Sequence, residues 1–247
     1  MAKTSETGHA KNVANFTQML SICTSYGVKY NPSNPALLLP QMSNALVLAK
    51  DCMASLNTAQ AALSNATAAR VGVFKPFSTL VTRIGNAVKA SGTSKQTKDQ
   101  VAAIIRKLQG RRAAPKISEE EKQAALAAGQ EIVEISSAQT SIDSLLENFD
   151  KLIKLLTSIA EYAPNESELN VSSLTALYED MFAKNQAVIN AEQPLSNLRI
   201  TRNELLYSEN TGIVYVANAA KLYIKSVFGA TSPQYRQVSS LQFSKPR

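Results

Sequence analysis

Apolar residues recur every three or four positions along most of the chain, the spacing of one face of an α-helix. The clearest row runs Ile135, Ala138, Ile142, Leu145, Phe149, Leu152, Leu156, Ile159 and Ala163, with Leu146, Ile153 and Ala160 beside it. That second row widens the stripe beyond a two-stranded coiled-coil seam, toward a helix packed inside a bundle. Ser118 followed by Glu119, Glu120 and Glu121 reads as a capping box, with carboxylates at the positive end of the helix dipole. Pro164 closes the pattern, so the spacing predicts one helix over 119–163, about 65 Å long at ~1.5 Å per residue.

A second tract begins after the turn signal NPSNP at 31–35 and carries Leu46, Ala49, Met53, Leu56, Gln60 and Leu63 on one face, flanked by Ala45, Cys52, Ala59 and Ala66. An alanine surface of this kind lets a partner helix approach closely. Pro76 marks a kink or a new start before Phe77, Leu80, Ile84 and Val88. Residues 92–99 read as a polar loop, and a short helix through Val101, Ile104, Ile105 and Leu108 ends at Gly110. The third tract starts near Ser172 and runs through Leu174, Met181 and Val188, past Pro194, to Leu206. A further helix is expected over Ile213 to Phe228 with Gly229 as its cap, although IVYV at 213–216 also suits a strand. Ser232 and Pro233 can start one more turn, and the tail over about 230–247 is expected to be irregular, on the bundle surface. An N-terminal helix over about 10–26 turns Val13, Phe16, Leu20 and Cys23 inward. Such stripes are buried only against each other, so the expected fold is all-α, a single elongated antiparallel bundle of long helices over 1–247. Residues 92–109 and 229–243 share a Gly, a Gln-Val and a Leu-Gln pair, which fits duplicated helical hairpins or chance.

Composition narrows the chemistry. Hydrophobic residues make up 45% and aromatics 6%, so the core is expected to be mainly Ala, Leu, Ile and Val. One His and two Cys cannot make a His/Cys metal site and leave little for His-based acid/base catalysis. Phosphate-cradle, zinc-protease, hydrolase-elbow and CxxC motifs are missing, so the expectation is a non-enzyme with no cofactor and no metal. His9 is expected to be solvated near a frayed start. Glu131/Glu134 and Glu147/Asp150 share a helix face at i, i+3 and read as solvated flank charges. Catalysis by such pairs needs carboxylates converging from other helices, and the third tract offers Glu179, Asp180 and Glu192. Cys23 and Cys52 read as small buried side chains, with a disulfide or a reactive thiol as the alternatives. No apolar run reaches the ~18 residues of a spanning helix, and no secretory pattern is visible, so no transmembrane segment and a cytoplasmic location are expected. The lack of an apolar tongue also argues against a pore former.

Charge is sharply segregated beneath the net +7. Residues 65–116 hold eleven Lys or Arg against the single acid Asp99, whereas 117–192 hold fourteen Asp or Glu against four Lys. Three outcomes are open: neutralisation within the molecule, complementary self-association, or binding of an external polyanion. The densest basic cluster is Arg106, Lys107, Arg111, Arg112 and Lys116, around the Gly110 turn. Its acidic counterpart is Glu119, Glu120, Glu121, Glu131 and Glu134. Phe74 and Phe77 lie among Arg70, Lys75 and Arg83, where they can serve the core or stack bases. The expected role is a non-enzymatic structural or interaction protein that self-associates or binds another protein through the two charged segments. The alternative is a nucleic-acid or polyanion binder using the 106–116 cluster.

NFDKLIKLL at 148–156, IRKLQGRR at 105–112 and FGATSPQY at 228–235 resemble an uncharacterised family of bacterial proteins with long alanine-rich helices. The resemblance covers most of the chain and implies the helical fold; it carries no activity, ligand or catalytic residue.

Overall fold

The structure, a computed structural model, describes residues 8–111 and 141–245 and, between them, Gln123 and Ala127. Among the described residues every regular element is helical: α1 (His9–Ser25), α2 (Leu39–Phe74), α3 (Phe77–Ala90), α4 (Lys95–Leu108), α5 (Ile142–Thr157), α6 (Val171–Tyr207), α7 (Ile213–Phe228) and α8 (Pro233–Ser239). Short 3-10 turns lead into the two long helices at Pro35–Leu37 and Ser167–Leu169. The all-α bundle expected from the periodicity is what the chain forms. Pro76 is a new start, since α2 ends at Phe74 and Pro76 caps α3. Pro194 is carried inside a continuous α6.

Three expectations need correction. The helix predicted over 119–163 is not continuous: the Ser141 backbone is extended, its side chain accepts from Ser144 N–H, and α5 starts there. A capping serine satisfies a free N–H at a helix start, which makes position 141 an entry point. The same helix stops at Thr157, and Ile159 and Tyr162 are buried from a turn before Pro164. The polar loop at 92–99 is shorter than expected, since Ser94 caps α4 through Thr97 N–H and residues from 95 are helical. The tail is neither wholly irregular nor superficial: α8 occupies Pro233–Ser239, and Val238 and Leu241 are buried. The capping box at Ser118 lies outside the described residues.

The chain divides into two compact units, residues 1–63 with 191–247 and residues 64–190. The first unit packs Phe16, Met19 and Cys23 of α1 and Met42, Leu46 and Ala49 of α2 against Leu206 of α6, Ile213 and Ala217 of α7 and Val238. Cys52, Leu56 and Leu195 extend that packing along α2 and α6. The second unit gathers Phe77, Ile84 and Val88 of α3, Val101 of α4, Phe149 and Leu152 of α5 and Leu174 and Met181 of α6. Phe77 and Phe149 meet edge to face at 4.7 Å, so Phe77 is a core residue and is not presented for base stacking.

The weak echo between 92–109 and 229–243 extends to nearly the whole described chain. Helix lengths repeat as 17, 36 and 14 residues for α1–α3 and 16, 37 and 16 for α5–α7. Buried Phe16, Met19 and Cys23 correspond in spacing to buried Phe149, Leu152 and Leu156. Tyr30 Oη donates to Leu37 O at 3.0 Å, and Tyr162 Oη donates to Leu169 O at 2.7 Å, each seven residues ahead. Buried Met42, Ala49 and Leu56 follow Leu37 at the intervals at which Leu174, Met181 and Val188 follow Leu169. Phe77, Val81, Ile84 and Val88 share their spacing with Ile213, Ala217, Ala220 and Ile224. Ser94 and Ser232 cap the next helix in the same way, on Thr97 and Tyr235 N–H. Each unit therefore combines the first part of one half with the second part of the other.

Candidate functional site

The antiparallel hairpin of α3 and α4 carries a cleft in the second unit, with a cavity of about 190 Å³. Ser94 starts α4 sharply after α3 ends, which folds one helix back on the other. Ile105 packs against Gly85, where a β-carbon would stand 2.8 Å from Ile105 Cδ1. Gln109 Nε2 donates to Thr82 Oγ1 at 2.9 Å and closes the far end. Val88, Val101, Ala102 and Ile105 supply apolar lining, and Lys89, Lys98, Arg106 and Arg111 supply four cations.

Gly110 explains how Arg111 is placed. Its φ of 63° is left-handed; Gly110 N–H donates to Lys107 O at 3.0 Å and Arg111 N–H to Arg106 O at 2.9 Å, a Schellman ending. Arg106 and Lys107 stand in the last turn of α4, where cations offset the negative end of the dipole. Of the predicted basic cluster, the cleft brings together Arg106 and Arg111. Lys107 does not line the cleft, and its charge is felt at Glu147 of α5: that carboxyl is held below the usual carboxylate range by the hydrogen bond from Lys151, then by that ammonium's charge, with Lys107 adding to it. Arg112, Lys116, Glu119, Glu120, Glu121, Glu131 and Glu134 lie outside the described residues. Lys89 and Lys98 were not part of the predicted cluster. Their signal is that they flank the GTS loop of a hairpin, which sets their side chains at the same cleft.

Some basic and acidic groups are matched inside this unit. Arg83 pairs with Glu168. Arg70 Nη1 donates to Asn185 Oδ1 at 3.1 Å, and buried Asn185 donates in turn to Asp143 Oδ1 at 3.2 Å. Lysines one turn ahead on the same helices hold Glu147, Asp150 and Asp180, at 2.5, 2.6 and 3.7 Å. Among the described residues no carboxylate pairs with Lys89, Lys98, Arg106 or Arg111. A wider depression of about 560 Å³ near Tyr162 mixes Glu161 and Glu166 with Arg83, which Glu168 already engages.

In the first unit His9 differs from the expectation of a solvated ring. It is the first residue of α1, with Nδ1 2.8 Å from Tyr207 Oη, and partial burial followed by the Arg202 charge lowers its pKa. Periodicity could not reveal this, because Tyr207 is reached only through the tertiary fold. Cys23 and Cys52 are buried free thiols, and burial pushes Cys23 up to about 11. Among the described residues no helix is long and apolar enough to cross a membrane. No family model, curated protein or solved structure matches the chain.

Proposed function

We propose that this chain is a non-enzymatic structural or interaction protein that self-associates, with the α3–α4 cleft receiving carboxylates from another copy. The observation that carries the reading is the set of cations along the cleft, Lys89, Lys98, Arg106 and Arg111, with which no described carboxylate forms an ion pair. Four like charges over an apolar floor repel one another, and an incoming anionic surface relieves that repulsion while covering the floor. Glu161, Glu166, Glu179 and Glu192 are exposed and form no ion pair among the described residues, so a second copy carries acids to offer. Two free buried thiols are in keeping with a reducing, cytoplasmic setting. Light scattering at about 50 mM and about 500 mM salt tests the reading, because exposed charge pairs weaken as screening shortens toward a few ångströms. A mass above 26.6 kDa at low salt that falls toward it at high salt is expected. A monomer at every concentration and salt overturns it.

The same rim favours one second reading, a polyanion contact through Arg106 and Arg111. Among the described residues no aromatic side chain lines the cleft, so such binding rests on phosphates alone. A gel shift of mixed RNA at low salt, lost on Arg106→Gln with Arg111→Gln, supports this reading; no shift removes it.

A further inference from the structure

We infer that the surface seated in the cleft is the α6 face around Phe182 of a second copy, an inference that rests on the self-association reading. Phe182 is 47% exposed, and Ile189 on the same face of the helix is 42% exposed, so the two form one apolar patch. Phe182 is held in place from below. Its ring stacks on Tyr178 at 6.3 Å, and Tyr178 meets the buried ring of Phe149 at 6.4 Å. An aromatic ring supported in this way loses little conformational freedom when it docks.

Charge separates Phe182 from four of the other exposed apolar side chains. Leu222 lies between Lys221 and Lys225, Val71 follows Arg70, Ile200 follows Arg199, and Val28 precedes Lys29. Against a rim of four cations each of these brings like charge, which costs affinity. Phe182 instead has exposed Glu179 one turn before it, and exposed Ile189 lies two turns after it. Asp180, beside Glu179, is paired with Lys184 at 3.7 Å, whereas Glu179 forms no ion pair among the described residues. Positions 179, 182 and 189 share one helical face, the arrangement by which a helix presents an apolar anchor with a charged edge to a groove.

Size agrees with charge. An apolar cavity of ~150 Å³ accepts a benzene ring, and the cleft offers about 190 Å³. The phenyl ring enters over Val101, Ala102 and Ile105, and Glu179 meets the cation rim. Cleft and stripe are different patches, so the contact is heterologous and propagates from copy to copy unless the rotation closes a ring.

Sedimentation velocity at about 50 mM salt on Phe182→Ser, on the double variant Lys98→Glu with Arg106→Glu, and on their equimolar mixture tests this. Each variant alone is expected to associate at least about tenfold more weakly than the parent, as loss of an anchor residue does. The mixture is expected to form dimers and stop there, because one chain keeps only the cleft and the other only the stripe. Glu179→Lys, an exposed change with no packing consequence, is the second probe and moves in the same direction; unchanged circular dichroism certifies the fold of each. If Phe182→Ser and Glu179→Lys both associate as the parent does while the double variant does not, this occupant is wrong and self-association through the cleft stands. If the parent is a monomer throughout, both readings fall.

Discussion

The ring of His9 sits 2.8 Å from Tyr207 Oη, and removal from water, with Arg202 nearby, favours its neutral form. Its folded pKa is below the ordinary 6.5, so the folded state binds fewer protons than the unfolded chain in that window. The stability it contributes is present above the ordinary value and is lost as pH falls through the folded one. Urea midpoints of the parent and His9→Gln, taken at about pH 7.5 and about pH 5, should therefore converge as the pH drops. A gap of constant size at both pH values refutes this. Cys23 shows the same physics with the opposite protonation bias: burial favours its neutral thiol, which suppresses the reactive thiolate.

At the scale of elements, the C-terminal segment is fastened by side chains that have no helical periodicity of their own. Asn15 Nδ2 donates to Gln242 O at 2.7 Å and Asn12 Nδ2 to Ser244 O at 2.7 Å, while Ser244 N–H returns to Asn12 Oδ1 at 3.2 Å. Lys221 reaches Leu241 O and lies over the Phe243 ring at 5.1 Å. These bonds hold an extended stretch against α1 and α7, which is why the tail is partly buried although its sequence lacks a stripe. Asn15→Ala leaves the Gln242 carbonyl without that donor, and equilibrium urea unfolding should show a loss of about 1–3 kcal/mol. The breaks in the helices have the same local origin: Ser94, Ser141 and Ser232 each accept a backbone N–H three residues on and start a helix there.

Over the whole molecule, two halves of similar element order supply parts to both compact units. Phe16 and Phe149 occupy corresponding places, each fully buried, one in each unit. Phe16→Ala and Phe149→Ala should each cost about 3–5 kcal/mol by the same measurement, since both remove a ring from a closed core. A cost below about 1 kcal/mol for either would contradict the correspondence of the two positions. Divergence between the halves lies in charge. The α3–α4 hairpin of one half carries Lys89, Lys98, Arg106 and Arg111 at a cleft, whereas Lys225 in the corresponding hairpin lies over the Tyr235 ring at 5.7 Å.

The sequence by itself determined the helical class, the position of most helices and the segregation of charge, because stripe spacing, proline geometry and residue counts act over a few neighbours. It located Arg106 and Arg111 through the turn at Gly110. The tertiary structure decided the rest: that Lys89 and Lys98 join those arginines, that the Lys107 charge is felt at Glu147, and that Tyr207 holds His9 across most of the chain. It also decided that the halves exchange partners between units. Such matters depend on which stripe packs against which, and amphipathic helices of similar spacing satisfy many pairings locally. Only the simultaneous filling of both cores selects one.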